Sequence, residues 1–424
     1  MIRALSLLLT ALLVLVVACR ANPSDEGDDS TPTTIAAPTT GAQTPPPIPE
    51  RPSDFAEYPD AVASYLTAYP EAAEGDACLH ELFQAWDMPY FSGDRSCRAG
   101  NADLDPDDEV AVVLAAPRPG EFEPFDYDVV VLDRGPDGFR VVYEAGIQPF
   151  GTPEDNDLAN VIVAMEDINA DGGGELVYNR PFCGAHTCFV HIHIVSGRDG
   201  AYTTLSPPPS PVDPQGGISM SYADYRLEDV DRDGSKELVL HGGSIGSVGA
   251  GPNRERTETW GWDGERYTLR ETILDPPTYL YHAILDANAL IGQSRSAEAE
   301  QAFVAAIEDG TLDRGGSLSG SQSVSAELES YAYLRAAVAR FVSGGDLAGA
   351  VGYLDRAVSL DAPLHAPLAA AFRDTYAASA DLIAACDAVR TYVADHLAAL
   401  TDFWNFGYGN PPFDAEAFCP FRPQ

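Results

Sequence analysis

The spacing of apolar positions divides this chain into stretches of different character. A nearly continuous apolar run, Ala4 to Val17, follows Arg3. Residues 20–53 then lose all periodicity and read as Pro, Thr, Ser, Asp and Gly. Between 54 and 98 the apolar residues return at helical spacing, in AVASYLTAY and ACLHELFQAW. From 99 to 275 the period shortens to that of strands, in EVAVVLA, ELVYN and ELVLHGG. Hairpins follow each of these, with turns at Asp137-Gly138, Asp199-Gly200 and Asp263-Gly264. Beyond 276 the helical period resumes and runs to about residue 400. The pattern predicts an α+β multidomain chain: a small helical segment (54–98), an antiparallel β repeat of three units (99–275) and an α-helical repeat (276–424).

Each β unit opens on an acidic loop. Asp229 to Glu237 reads DVDRDGSKE, Asp167 to Glu175 reads DINADGGGE, and Asn101 to Glu109 reads NADLDPDDE. The loops start at 101, 167 and 229, so they lie 66 and 62 residues apart, an internal repeat. Oxygen-bearing side chains at positions one, three, five and nine of a tight loop point inward and suit a hard cation. The third loop offers Asp229, Asp231, Asp233 and Glu237 with the Ser235 carbonyl. The second offers Asp167, Asn169, Asp171 and Glu175 with the Gly173 carbonyl. The first offers Asn101, Asp103, Asp105 and Glu109, but Pro106 stands where the others have glycine, and proline cannot take positive φ. The expectation is two structural calcium sites, in the second and third loops. Three solvated acidic turns are the alternative.

These residues resemble the FG-GAP and VCBS repeats of β-propellers, including integrin-like ones, over about 175 residues. The resemblance implies a propeller-like domain with calcium in its loops. Propellers usually close with four to eight blades, and three units are recognisable here. The stretch GGDLAGAVGYLDRAVSLDAP is similar to a tetratricopeptide repeat, through Gly345, Ala350, Leu354, Ala357 and Pro363. A partial match precedes it at Ala299, Phe303 and Ala306. The resemblance implies a short α-solenoid, with a plain helical bundle as the alternative. The aromatic tail FGYGNPPFDAEAFCPF is expected to cap the last helix pair.

Charge and cysteine usage add a compartment. The net charge is −40 and Lys236 is the sole lysine, which excludes nucleic acid and anionic lipid as partners and favours divalent cations. Residues 1–18 read as a signal peptide, and Val16-Val17-Ala18-Cys19 resembles the lipobox of bacterial lipoproteins. The resemblance implies a diacylglycerol on Cys19, with residues 19–53 as a disordered tether holding the rest outside the membrane. An ordinary signal peptide with a chance cysteine is the alternative. The other six cysteines form an even set suited to an exported chain. Their order favours Cys78–Cys97, Cys183–Cys188 and Cys386–Cys419.

Two further groups carry possible chemistry. His186, His191 and His193 lie close in sequence, and 191 and 193 share one face of a strand. HGGSIGSVGAG holds a G-x-S-x-G around Ser244, but no helix follows it, as a nucleophile elbow requires. The sequence therefore predicts a lipid-anchored, extracytoplasmic, calcium-stabilised binding or adhesion scaffold for protein or glycan ligands, non-catalytic. A cell-envelope hydrolase using Ser244 or the histidines is the alternative.

Overall fold

In the computed structural model the described residues are 46–75, 78–88, 96–103, 107–117, 125–150, 161–184, 186–198, 201–211, 213–315 and 322–421. The signal peptide, Cys19 and most of the tether lie outside them, as do Asp105, Pro106 and the Asp199-Gly200 turn. No helix among the described residues is long and apolar enough to cross a membrane.

Fifteen strands fall into three antiparallel sheets among the described residues. The first sheet runs β1 (Cys97–Gly100), β2 (Glu109–Pro117), β3 (Phe125–Gly135) and β4 (Gly138–Glu144) in that order, with β5 (Gln148–Phe150) beside β3. The second runs β6 (Val161–Glu166), β7 (Glu175–Asn179), β9 (Cys188–Ser196) and β10 (Thr203–Thr204). There, β8 (Phe182–Cys183) and β11 (Ile218–Ser221) also pair with β9. The third runs β12 (Asp224–Glu228), β13 (Glu237–Gly242), β14 (Arg256–Trp262) and β15 (Tyr267–Leu274). All three share one plan: strand, acidic loop, strand, strand, strand. In each unit a further strand precedes the acidic loop and pairs with the strand that follows it.

The sheets stack face to face. The second is apolar on both faces: Leu176 and Tyr178 join a core with the first sheet, while Val177, Ile192 and Ile194 join a core with Leu238 and Leu240 of the third. Continuous Val, Ile and Leu runs produce this burial, since a strand covered on both sides has no polar face. No closed barrel or propeller ring is present among the described residues.

The helices of the 54–98 segment, α1 (Tyr58–Ala68) and α2 (His80–Ala85), do not form a body of their own. Val62, Leu66, Leu82, Phe83 and Trp86 share one core with the first sheet. Thr67 Oγ1 on α1 accepts from the Phe139 N–H at the β3–β4 hairpin, at 2.7 Å.

The C-terminal helices are α3 (Leu280–Gly292), α4 (Ser296–Glu308), α5 (Gln322–Ser343), α6 (Leu347–Ser359), α7 (His365–Ser379), α8 (Leu382–Asp395) and α9 (Leu397–Phe403). From α3 through α8 each packs chiefly on its chain neighbours, and Ala299, Phe303, Ala350, Leu354 and Ala357 are fully buried at the crossings. Small alanines there let the helix axes approach closely. Asp346 and Asp381 cap α6 and α8 by accepting backbone N–H groups. Glu327 does the same for α7 from across the core, accepting from Leu364 N, His365 N and His365 Nδ1.

The aromatic tail does more than cap the last helices. Phe406 stacks on Tyr281 of α3 at 4.0 Å between ring centres, and the Phe418 carbonyl accepts from buried Arg335 of α5. The tail also reaches the Gly-rich loop after β13, where Tyr408 N–H and Gly409 N–H donate to the Gly249 and Ala250 carbonyls. Gly251, at φ +79°, allows this approach, since a Cβ there would sit 1.5 Å from the Phe406 carbonyl oxygen. All three expected disulfides are formed, with Cα separations of 5.6, 4.0 and 5.5 Å for Cys78–Cys97, Cys183–Cys188 and Cys386–Cys419.

Candidate metal centres in the acidic loops

Each acidic loop links the first two strands of its sheet, and the ninth-position glutamate begins the second strand. Cross-strand pairing sets Glu109, Glu175 and Glu237 opposite Gly100, Glu166 and Glu228. In every loop the glutamate Oε2 then accepts the N–H of position two: Ala102 at 2.5 Å, Ile168 at 3.0 Å and Val230 at 2.9 Å. The second and third loops share their turn conformation as well. Position four is left-handed at Ala170 (φ +59°) and Arg232 (φ +66°), and position six is Gly172 (φ +94°) or Gly234 (φ +101°).

Neighbouring loops are hydrogen-bonded to one another. Gly174 N–H donates to the Asn101 carbonyl at 3.0 Å, and Lys236 N–H donates to the Ile168 carbonyl at 2.6 Å. Position eight of one loop thus grips the start of the loop before it. The third loop is the last in this series, and its position two shows it: Ala102 and Ile168 are 1% and 0% exposed, while Val230 is 50% exposed.

In the third loop one carboxylate oxygen from each of Asp229, Asp231 and Glu237 lies within 4.8 Å of the others. Asp229 Oδ2 accepts from Gly234 N–H, but Asp229 Oδ1 is buried with no hydrogen-bond partner. Asp233 faces its own backbone, accepting from Ser235 N–H at 2.8 Å. A buried, unmatched carboxylate oxygen among converging carboxylates fits a hard cation of the calcium class. Asp229, Asp231 and Glu237 would hold it, and its charge would offset their mutual repulsion.

The second loop meets its charge differently. Glu175 is fully buried and accepts from Asn169 Nδ2 at 3.0 Å as well as from Ile168. Burial, reinforced by Asp171 and Asp167, pushes its carboxyl up to about 7. Asp167 accepts from Asp171 and Gly172 N–H. Asp171 forms an ion pair with Arg198 at 2.5 Å. Against the desolvation it suffers, the Gly173 N–H and that guanidinium hold Asp171 below the usual carboxylate range.

The first loop gains a residue that the nine-residue pattern does not contain. Asp103 and Glu109 converge with Asp133 of β3, their oxygens within 4.8 Å. Asp133 lies one residue beyond the Val110–Leu132 cross-strand pair, and Arg140 holds its Oδ2. The alternation of the β3–β4 hairpin was the signal that could have found it. Arg198, two residues beyond the end of β9, had no such signal.

The other candidates do not assemble. His191 is buried, with Nδ1 against the Gly216 carbonyl at 3.0 Å and Nε2 3.4 Å from Ser219 Oγ. Asp213 lies 3.9 Å from the same Nδ1. His193 stacks on Tyr178 at 5.0 Å, and burial, with Arg180 and His191 nearby, drops its pKa to about 3. His186 is exposed on a turn, its carbonyl accepting from Tyr222 Oη. Ser244 sits in a coil followed only by a single 3-10 turn, Val248–Ala250. Neither Ser244 nor His191 lines the cleft of about 640 Å³ between the Gly-rich loop and the tail. No protein-family model matches this chain, and neither a curated protein nor a solved structure shows significant similarity to it.

Proposed function

We propose that this chain is an exported binding scaffold, anchored through lipid on Cys19, whose β repeat is stiffened by calcium and presents surfaces to protein or glycan ligands. The observation that carries this reading is the threefold recurrence of one device: an antiparallel sheet with an acidic loop after its first strand, each loop hydrogen-bonded to the next. The likeness of these units to FG-GAP and VCBS repeats, and of the helices to tetratricopeptide repeats, supports a surface for macromolecules rather than a reaction centre; that step is analogy from fold to role. The hydrolase alternative has less support, since Ser244 lacks a following helix and the three histidines have separate partners.

Binding of the purified protein to glycan and protein arrays, with calcium and with a chelator, tests the scaffold. Calcium-dependent retention of a defined ligand class supports it. Ester, peptide or glycoside hydrolysis abolished by Ser244→Ala or His191→Ala would replace it with the enzyme. The anchor is tested separately: Cys19→Ala should release the protein from membranes or leave it uncleaved, and unchanged fractionation and processing sinks the lipid.

A further inference from the structure

At the end of the third sheet, away from the acidic loops, His241, Glu255 and Asp275 come together. His241 is the penultimate residue of β13, Glu255 immediately precedes β14, and Asp275 immediately follows β15. The register pairs His241 with Thr257 and Thr257 with Ile273. Alternation then sets Glu255 and Asp275, each two residues further along, on the face that carries His241. The Asp275 N–H donates to the Glu255 carbonyl at 3.0 Å, which fixes the two backbones side by side. One donor atom from each of the three side chains lies within 4.8 Å of the others, and His241 Nε2 is 3.1 Å from Asp275 Oδ2.

The local charge is not met by the nearby arginine. Arg254 donates to the Asp275 backbone carbonyl and forks onto Asp286 of α3, at 2.6 and 2.9 Å. Among the described residues no lysine or arginine is ion-paired with the Glu255 or Asp275 carboxylate. Two carboxylates and an imidazole face one another in a chain of net charge −40.

We propose that His241, Glu255 and Asp275 form a binding site for a divalent transition ion of the zinc class. An imidazole nitrogen excludes calcium and magnesium, which take oxygen, and suits zinc and its neighbours. Three protein ligands on strand ends, with His241 and Asp275 each about 40% exposed, leave a coordination position open to water or a ligand group. The site is independent of the acidic loops and stands whether or not they bind calcium.

The test is zinc titration of the full-length protein in millimolar calcium, which saturates any oxygen-only site. We expect one tight zinc per chain. His241→Ala and Asp275→Asn should each weaken it at least about tenfold, since even changes to groups behind metal ligands cost 10–100-fold. Cobalt bound at the same site should give a visible absorption band that both variants lose. Where His241→Ala folds poorly, His241→Gln is the substitute, with circular dichroism as the control. Zinc affinity unchanged in both variants, or lost instead in His191→Ala, overturns the proposal and leaves His241–Asp275 an ordinary ion pair.

Discussion

The second and third acidic loops have the same spacing of oxygen side chains and the same left-handed turns at positions four and six, yet their carboxylates end in different company. In the second, Asn169, Arg198 and the loop's own N–H groups absorb the charge, and the neighbouring sheet buries the loop's apolar residue. In the third, Asp229, Asp231 and Glu237 converge with one buried oxygen unmatched, and Val230 faces solvent. Spacing decides the backbone of such a loop. What surrounds the loop decides whether it needs an ion.

The largest effect separates the loops by packing. Ile168 is fully buried between sheets, so Ile168→Ala should destabilise the protein by about 2–5 kcal/mol. Val230→Ala, at the same loop position, should change stability by less than about 0.5 kcal/mol. Denaturant melts of the two variants measure this directly. Equal losses would mean that the third loop is covered in solution by something the fold does not display.

Calcium separates them by charge. An ion that binds only the folded state stabilises it by about 2.7 kcal/mol at 100 times its dissociation constant. A chelator should therefore lower the melting temperature of the β region by several degrees. Asp231→Ala with Asp233→Ala should remove most of that shift. Asn169→Ala with Asp171→Ala should remove less, because those groups already have protein partners. A melting temperature indifferent to chelator and to millimolar calcium would reduce all three loops to acidic turns.

Local periodicity made the elements and the loops legible: the strands after each glutamate, the helices from 280 onward and the three disulfide pairs follow from spacing of two, spacing of three to four, and cysteine order. Contacts between units were not legible. That Lys236 N–H would reach the Ile168 carbonyl, or that the tail would return to Gly249 and Ala250, depends on how sheets and helices stack, which no window of sequence encodes. The residue beside each loop glutamate on the other neighbouring strand shows the same limit. It is Ser196 in the second sheet, and continuing the cross-strand pairing gives Asp133 in the first and Gly261 in the third. One repeat plan thus carries three local chemistries. The 54–98 segment reads as a separate helical piece by period alone, and only packing merges it with the first sheet.

The smallest expected effect tests how far the second loop's own protein partners stand in for an ion. Arg198 is half exposed, and exposed ion pairs contribute about 0.2–1 kcal/mol after solvent screening. Arg198→Ala should therefore cost little, and only when calcium is absent. With the guanidinium gone, Asp171 becomes available, and a cation at the second loop no longer competes with a fixed positive charge. Calcium should then restore the variant to about the wild-type melting temperature, so the calcium-induced shift grows by roughly the amount lost in chelator. Raising ionic strength should shrink the difference between the two proteins in chelator, because Arg198 is half exposed and the Debye length falls from about 10 Å at 0.1 M to about 3 Å at 1 M salt. If Arg198→Ala lowers the melting temperature equally with and without calcium, the arginine acts through packing alone. Any weaker response of the second loop to calcium would then have to come from Asn169 and the burial of Glu175.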